Sequence, residues 1–437
     1  MASPVVRHYR SQPAAPPLRS RVDYWFWRLL TAVVFAGTIA LCLAPPAQAA
    51  PAQAANAGLY GTWRIALDHP GGPLPFGLEV VRGKAGPEAF ILNPPERLRA
   101  ERVTVDADTI TLAFPSYNSR LVLTRGADDR LTGAADIVRR AGPVTLAATG
   151  SRASYRFTAT PARAAGDISG KWVVETGGAK PETGLAQFKQ TGNRVTGSVQ
   201  MPTGDTRYLA GEISGNSLSL SMFDGSASSI LKATLADGKL AGGQFGALSK
   251  APTPWSGHRA ASAGVEAVSV EKAAGERLAF SFPASDGKPV SLADARYKGK
   301  VVVITLGGAW CPNCHDEAGF MGAYAASHQK AGLEVIGLQF EYGDDQARAF
   351  RQIDSFKARY KLPYPLLLAG QPTPESSKAA LGALGPIKVY PSTIFIGRDG
   401  LVREVHVGWA GPATGPLNVK AKADFDATVS RLLREKA

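Results

Sequence analysis

Cysteine is nearly absent: 437 residues hold only Cys42, Cys311 and Cys314. So sparse a supply excludes the disulfide-stapled scaffold of a small secreted domain. It also argues against a structural zinc site, because Cys311, Cys314 and His315 offer at most three donors and no second pair. Cys42 lies in an apolar N-terminal stretch, which leaves one C-x-x-C pair to the rest of the chain. A lone close pair points to chemistry rather than to structure. Long amphipathic helices are missing from Gly61 to Arg259. Runs of Lys and Arg interleaved with aromatics are missing throughout, so nucleic acid is not expected as a partner.

The charge balance is lopsided, with a formal net charge of +13. Five arginines against one aspartate place +4 of it in residues 1–49 and leave +9 for the remainder. A solvated basic surface accounts for this, and a charge of that size also favours acidic partners or a membrane surface. The apolar run Leu29–Leu43 is 15 residues long. It follows the basic flank Arg19–Arg28 and precedes Ala47-Gln48-Ala49, the order of a secretory signal spanning 1–49 with Ala50 as the first mature residue. The run is short of the roughly 20 residues that span a bilayer, and an uncleaved anchor is the alternative.

Glycine is abundant, at 47 residues, which suits turn-rich β structure. An internal repeat is visible. Gly61-Thr62-Trp63 opens one unit (57–160) and Gly170-Lys171-Trp172 opens a second (166–260). Asp108–Leu112 parallels Asn216–Leu220, and Asp129–Gly133 parallels Asp237–Gly242. Arg152 and Arg259 close the units. Leu218, Leu220 and Met222 alternate with serines, the period of a strand, and Asp237-Gly238 is a hairpin-type turn. The expectation is two β-rich units, either two small barrels or sandwiches or two halves of one structure. The Gly-x-Trp start and late arginine resemble the calycin superfamily of lipocalin-like barrels. That resemblance implies an arginine packed across each tryptophan as a cation–π pair and an apolar ligand pocket; the plainer reading makes Trp63 and Trp172 core residues.

Residues 261–275 are small and polar and read as a linker. Beyond them, 276–437 alternates strands and helices, as an α/β domain does. Val301–Leu306 is a continuous apolar run suited to a strand buried on both faces. Leu333–Phe340, Ser392–Ile396 and Val402–Val407 are further strands. Ala318–Gln329, Asp344–Tyr360 and Ala421–Lys436 have helical character. The whole chain is thus expected to be multidomain, two tandem β-rich units followed by an α/β domain.

The pair Cys311-Pro312-Asn313-Cys314 follows the first of these strands, with Pro312 at a first helical position. Cys311 therefore sits at a helix N-terminus, where free backbone N–H groups and the helix dipole favour a thiolate. The thiolate is the attacking species, and Cys314, one turn on, can resolve a mixed disulfide. His315 is expected on an exposed first turn. Pro391 precedes the strand Thr393–Ile396, and a cis bond there would turn its neighbouring backbone towards the dithiol as an edge for an added strand.

Trp310-Cys311-Pro312-Asn313-Cys314 with Tyr390-Pro391-Ser392-Thr393 resembles the thioredoxin superfamily. Phe280–Pro283, Asp286-Gly287-Lys288, Lys298-Gly299-Lys300 and Glu317 are similar to its exported TlpA/ResA-type branch. The resemblance implies a periplasmic protein disulfide reductase that needs no cofactor or metal. Cys311 and Cys314 would be its redox disulfide, Glu317 its proton-transfer group, and Trp310, Tyr390 and Pro391 its substrate-binding residues. It implies oxidised exported proteins as substrates, apocytochrome c among them, and a membrane thiol transporter as electron donor. An uncleaved form would face the periplasm from the inner membrane. The small Gly307-Gly308-Ala309 and the Pro-Asn dipeptide depart from the family pattern. Two rival readings remain: a binding protein acting through its β units, and a peroxiredoxin-like thiol peroxidase, although Gly308 stands where a Thr-x-x-Cys site has its threonine.

Overall fold

The structure is a computed structural model and describes residues 57–177, 181–246, 248–260, 269–271 and 275–436. The expected signal segment 1–49 lies outside the described residues.

The first β unit has nine strands between Gly61 and Ser151 in up-and-down order. Each pairs antiparallel with the next, except that Glu96–Arg99 and Arg102–Asp106 do not meet. The first strand, Gly61–His69, closes back on the last, Gly142–Ser151. The result is a curved half-barrel whose free edges are Glu96–Arg99 and Arg102–Asp106. In the second unit Gly170–Thr176 pairs with Thr253–Arg259, and Thr183–Thr191 pairs with Arg194–Met201. These pairings close eight strands into a barrel. A two-residue strand, Gly204–Asp205, folds back on Gln200 and Met201 as a short arm.

The alternation of leucine and serine has a different outcome on its two faces. Leu218, Leu220 and Met222 fill the barrel core, as period two requires. Ser221 does not face water: it is fully buried and its hydroxyl donates to the Pro75 carbonyl of the first unit. Phe223 goes further and enters the core of the half-barrel together with Ile230. Its ring lies 4.8 Å from that of Phe76. The open sheet thus completes its apolar core with side chains from its neighbour.

Both repeats keep the same end closure. The Trp63 and Trp172 indoles each donate to a carbonyl four residues upstream, Leu59 and Ile168, at 2.9 Å. Arg152 lies 3.5 Å over Trp63, and Arg259 lies 4.5 Å over Trp172. The guanidiniums also bind the carbonyls of Tyr60 and Thr62 in one unit and of Asp167 and Ser169 in the other.

The C-terminal domain is mixed α/β and thioredoxin-like. Its strands are β1 (Ser269–Glu271), β2 (Val301–Gly307), β3 (Leu333–Phe340), β4 (Leu366–Gly370), β5 (Ser392–Ile396) and β6 (Val402–Val407). They lie in the order β1-β6-β5-β2-β3-β4. The stretch read as linker therefore gives the sheet its edge strand β1. Its helices are α1 (Pro312–His328), α2 (Gln346–Tyr360), α3 (Pro374–Leu381) and α4 (Pro416–Leu433). Val301 and Val303 of β2 pack under α1, α2 and α4, while Val302 and Ile304 face Leu278, Phe280 and Leu381. That two-sided burial is why β2 has no polar face. Asp345 caps α2, its side chain accepting from Arg348 N at 2.9 Å.

Because Phe223 is buried between two units, Phe223→Ala leaves a cavity at their junction. The expected loss is about 3–5 kcal/mol. A thermal melt checks it, and the midpoint should fall while the C-terminal disulfide couple stays reversible.

Candidate active site

The strand–turn–helix sequence determines where the cysteines lie. Strand β2 ends at Gly307, and Cys311 is the N-cap of α1 with Pro312 next. The Cys311 sulfur accepts from the Cys314 backbone N–H at 3.2 Å. The two cysteines form a disulfide with Cα atoms 5.2 Å apart. The small residues before the pair have a steric cause. A Cβ on Gly307 would stand 3.2 Å from the Cys314 sulfur, and one on Gly308 would stand 2.2 Å from the Trp310 indole nitrogen. Trp310 folds back over Gly308 so that its N–H reaches the Phe340 carbonyl at 2.7 Å. Its ring stacks on Tyr342 at 4.8 Å and meets Tyr390 edge-on at 5.7 Å.

Tyr390-Pro391 is a cis peptide. The Tyr390 carbonyl lies 3.6 Å from the Cys311 sulfur. Cys311, Cys314, Trp310, Tyr390 and Pro391 are therefore assembled at one end of the sheet, although about 80 residues separate the two loops. Glu317 joins them from beneath. It is buried on α1 and accepts from the Thr393 hydroxyl at 2.7 Å. Burial pushes its pKa up to about 7, against a smaller opposing effect of the Thr393 hydrogen bond. Glu317 and Cys314 line the same internal void, with Gln339 and Tyr364 opposite. The void has room for about one water molecule.

His315 is not exposed, contrary to expectation. It is buried because Tyr117 of the first β unit stacks on it, with ring centroids 3.9 Å apart. Its Nε2 lies 2.8 Å from the Ala309 carbonyl and its Nδ1 lies 2.8 Å from the Tyr360 hydroxyl. Burial and the nearby Arg359 charge lower its pKa well below the ordinary value, so it is neutral. A carbonyl only accepts, so Nε2 carries the proton and Nδ1 accepts from Tyr360. Among the described residues no group of three or more His, Cys, Asp or Glu could hold a metal ion.

Several residues that only the fold reveals complete the site. Glu341 follows β3, accepts from Ala309 N at 2.7 Å and has its pKa pushed up to about 7 by burial. A carboxylate directly after an apolar strand is the one sequence sign of it. Asp205, from the barrel's short arm, accepts from Asn313 Nδ2 at 3.3 Å and from Gly411 N at 2.6 Å. Arg207 binds Glu96 at 3.1 Å, Asp224 at 3.1 Å and Asp316 at 3.2 Å. Burial opposes its charge, and Asp316, Tyr117, Asp224 and Glu96 more than offset that, leaving its pKa well raised. Glu96 is in the half-barrel, Asp224 in the barrel and Asp316 on α1, so all three domains meet beside the dithiol.

Strand–turn–helix, an N-capping cysteine and a cis-proline facing it define a thioredoxin-like dithiol domain. Comparison with known proteins makes this more specific. Residues 274–405 match the AhpC/TSA family model. The chain is 28% identical over 130 residues to the thiol:disulfide interchange protein DsbE of Pseudomonas aeruginosa, covering 30% of this chain and 63% of that one. It is 26% identical over 135 residues to the thiol-disulfide oxidoreductase ResA of Halalkalibacterium halodurans, covering 31% and 69%. It is also 42% identical over 91 residues to the chloroplastic peroxiredoxin Q of Suaeda salsa, covering 20% and 38%. The matched region thus spans less than two thirds of DsbE and of peroxiredoxin Q. The C-terminal region is a thioredoxin-like AhpC/TSA domain related to thiol–disulfide oxidoreductases of the DsbE, ResA and TlpA type.

The raised Glu317 pKa has a consequence for stability. Its carboxyl holds a proton more tightly in the fold than in an unfolded chain. Stability is therefore full at low pH and declines as pH rises from the unfolded value of about 4.3 through the folded value of about 7. Above that, the buried charge costs on the order of 3 kcal/mol. Glu317→Gln should melt higher than the parent at pH 8.5, and the gap should close near pH 4. Equal melting points at both pH values would mean that the carboxyl is not held protonated.

Proposed function

We propose that this protein is an exported protein disulfide reductase that works through Cys311 and Cys314. The observation that carries the reading is the Cys311 sulfur at the N-terminus of α1, 3.6 Å from the carbonyl of the residue before cis-Pro391. The helix terminus favours the thiolate, and the backbone beside the proline can pair with a substrate strand.

The proposed steps are those of dithiol exchange. In the reduced protein the Cys311 thiolate attacks one sulfur of a substrate disulfide, breaking that bond and forming a mixed disulfide. The first substrate thiolate leaves and takes up a proton. Glu317, through the void it shares with Cys314, takes the Cys314 proton. The Cys314 thiolate then attacks Cys311, closing the Cys311–Cys314 disulfide and releasing the second substrate thiolate. Two electrons pass from the protein dithiol to the substrate. Re-reduction needs a dithiol donor, which we assign to a membrane thiol transporter. Trp310 and Tyr390 wall the approach. Oxidised exported proteins, apocytochrome c among them, are the proposed substrates. The proposed site of action is the periplasm, reached by cleavage after residue 49 or from an inner-membrane anchor; N-terminal sequencing of the exported protein separates the two.

A peroxidase reading has one observation in its favour, the match to the AhpC/TSA family and to peroxiredoxin Q. Gly308 stands where that chemistry wants a threonine, and Trp310 covers it. Hydrogen peroxide consumption by the reduced protein would establish that reading.

Cys314→Ser blocks resolution and should accumulate covalent complexes with exported proteins that disappear on reduction; Cys311→Ser should give none. Recovery of no mixed disulfide with Cys314→Ser would remove the assignment. Glu317→Gln should slow resolution by about 10²-fold and remove the inflection near pH 7 from the rate profile.

A further inference from the structure

The dithiol is less accessible than its chemistry requires. Cys311 is only 3% exposed, although it must meet a substrate sulfur. Part of the cover over the adjoining Asn313 and Gly408 comes from outside the redox domain. The arm of the barrel turns at Pro202 and Thr203 and returns through Gly204 and Asp205. A Cβ on Gly204 would stand 2.5 Å from Asn313 Oδ1, inside the C-x-x-C turn. The Pro202 carbonyl is 2.9 Å from where a Cβ on Gly408 would be. Gly408 itself donates to the Pro391 carbonyl at 2.9 Å. The arm therefore lies over both the C-x-x-C turn and the residues behind the cis-proline, the surface on which an incoming strand would rest.

The arm is pinned in place. Asp205 Oδ2 accepts from Gly411 N and from Asn313 Nδ2, and Asp205 Oδ1 accepts from Arg207 N. Arg207 in turn binds Asp316 on α1 at 3.2 Å. Asp205 and Arg207 are both buried, where such ties are costly to break. Next to Trp310 and Tyr390 lies a cleft of about 580 Å³, lined also by Arg140, Thr203 and Lys388. That is the size of a small-ligand site. The face of a folded protein needs roughly 800 Å² on each partner to dock stably.

We propose that the Met201–Arg207 arm sets the substrate range of the dithiol, admitting disulfides on small molecules or extended chains through the Trp310–Tyr390 cleft and barring those on compact folded proteins. Asp205 is the positioning residue that holds the arm on the redox domain. The inference rests on the exchange activity proposed above and narrows its substrates.

The test uses the reduced mature protein and three disulfides: oxidised glutathione, an unstructured peptide with one disulfide, and native insulin. The parent should reduce the first two and be slow with insulin. Asp205→Ala frees the arm and should raise the insulin-to-glutathione rate ratio by about tenfold or more. Thr203→Trp, at an exposed position in the cleft wall, should slow glutathione by a similar factor without loss of thermal stability. An unchanged ratio in Asp205→Ala, or unchanged glutathione kinetics in Thr203→Trp, would overturn the gate while leaving the exchange activity standing. A parent inert towards all three disulfides would remove the activity itself and the gate with it.

Discussion

The buried Arg207 guanidinium fixes how the three domains meet. It is held by Glu96 from the half-barrel, Asp224 from the barrel and Asp316 from the first turn of α1. Three carboxyl groups around one cation crowd acidic charge in a dry place, and burial pushes the Asp316 pKa up to about 7. The Tyr117 hydroxyl and the backbone amides of Ser226 and Ala227 donate to Asp224 and reduce that cost. Removal of one member of such a cluster leaves unpaired buried charge, which is more damaging than its absence from the start. The packing around it depends on the same alignment. Tyr117 can stack on His315 only while α1 is held against the half-barrel, and Arg359 reaches Glu101 at 2.7 Å across the same seam.

This arrangement makes the β units part of the redox site. Here Asn313, His315 and Asp316 are each engaged by side chains from the β units. Burial therefore governs the local proton chemistry. Glu317 and Glu341 have raised pKa values because water is excluded, and His315 is neutral for the same reason. The neutral imidazole braces the turn between Ala309 and Tyr360.

Local features were legible in the sequence to the extent that their causes are local. The C-x-x-C pair, Pro312 at a first helical position and the unbroken apolar run of β2 describe the turn almost completely, since strand, cap and helix are decided within a few residues. The cis-proline was expected from its place before a strand in a chain that carries a C-x-x-C pair, and Glu317 was reached through family resemblance. The paired Trp63/Arg152 and Trp172/Arg259 closures were visible because the same signal occurs twice. What the sequence hid depends on tertiary contact. His315 looks like a surface residue until Tyr117, nearly 200 residues earlier, is placed on it. Ser221 reads as a solvent-facing strand residue, and only docking against Pro75 buries it. Strand β4 and helix α3 are short and lie among prolines, where neither period is long enough to register.

The reduction potential of the Cys311–Cys314 couple in the mature protein tests the central claim most directly. Equilibration against glutathione or dithiothreitol supplies it, with the thiols counted by alkylation. The account predicts a value near or below about −250 mV, towards thioredoxin, as befits a reductant supplied from a membrane donor. A value near about −120 mV would describe a disulfide donor and contradict the account.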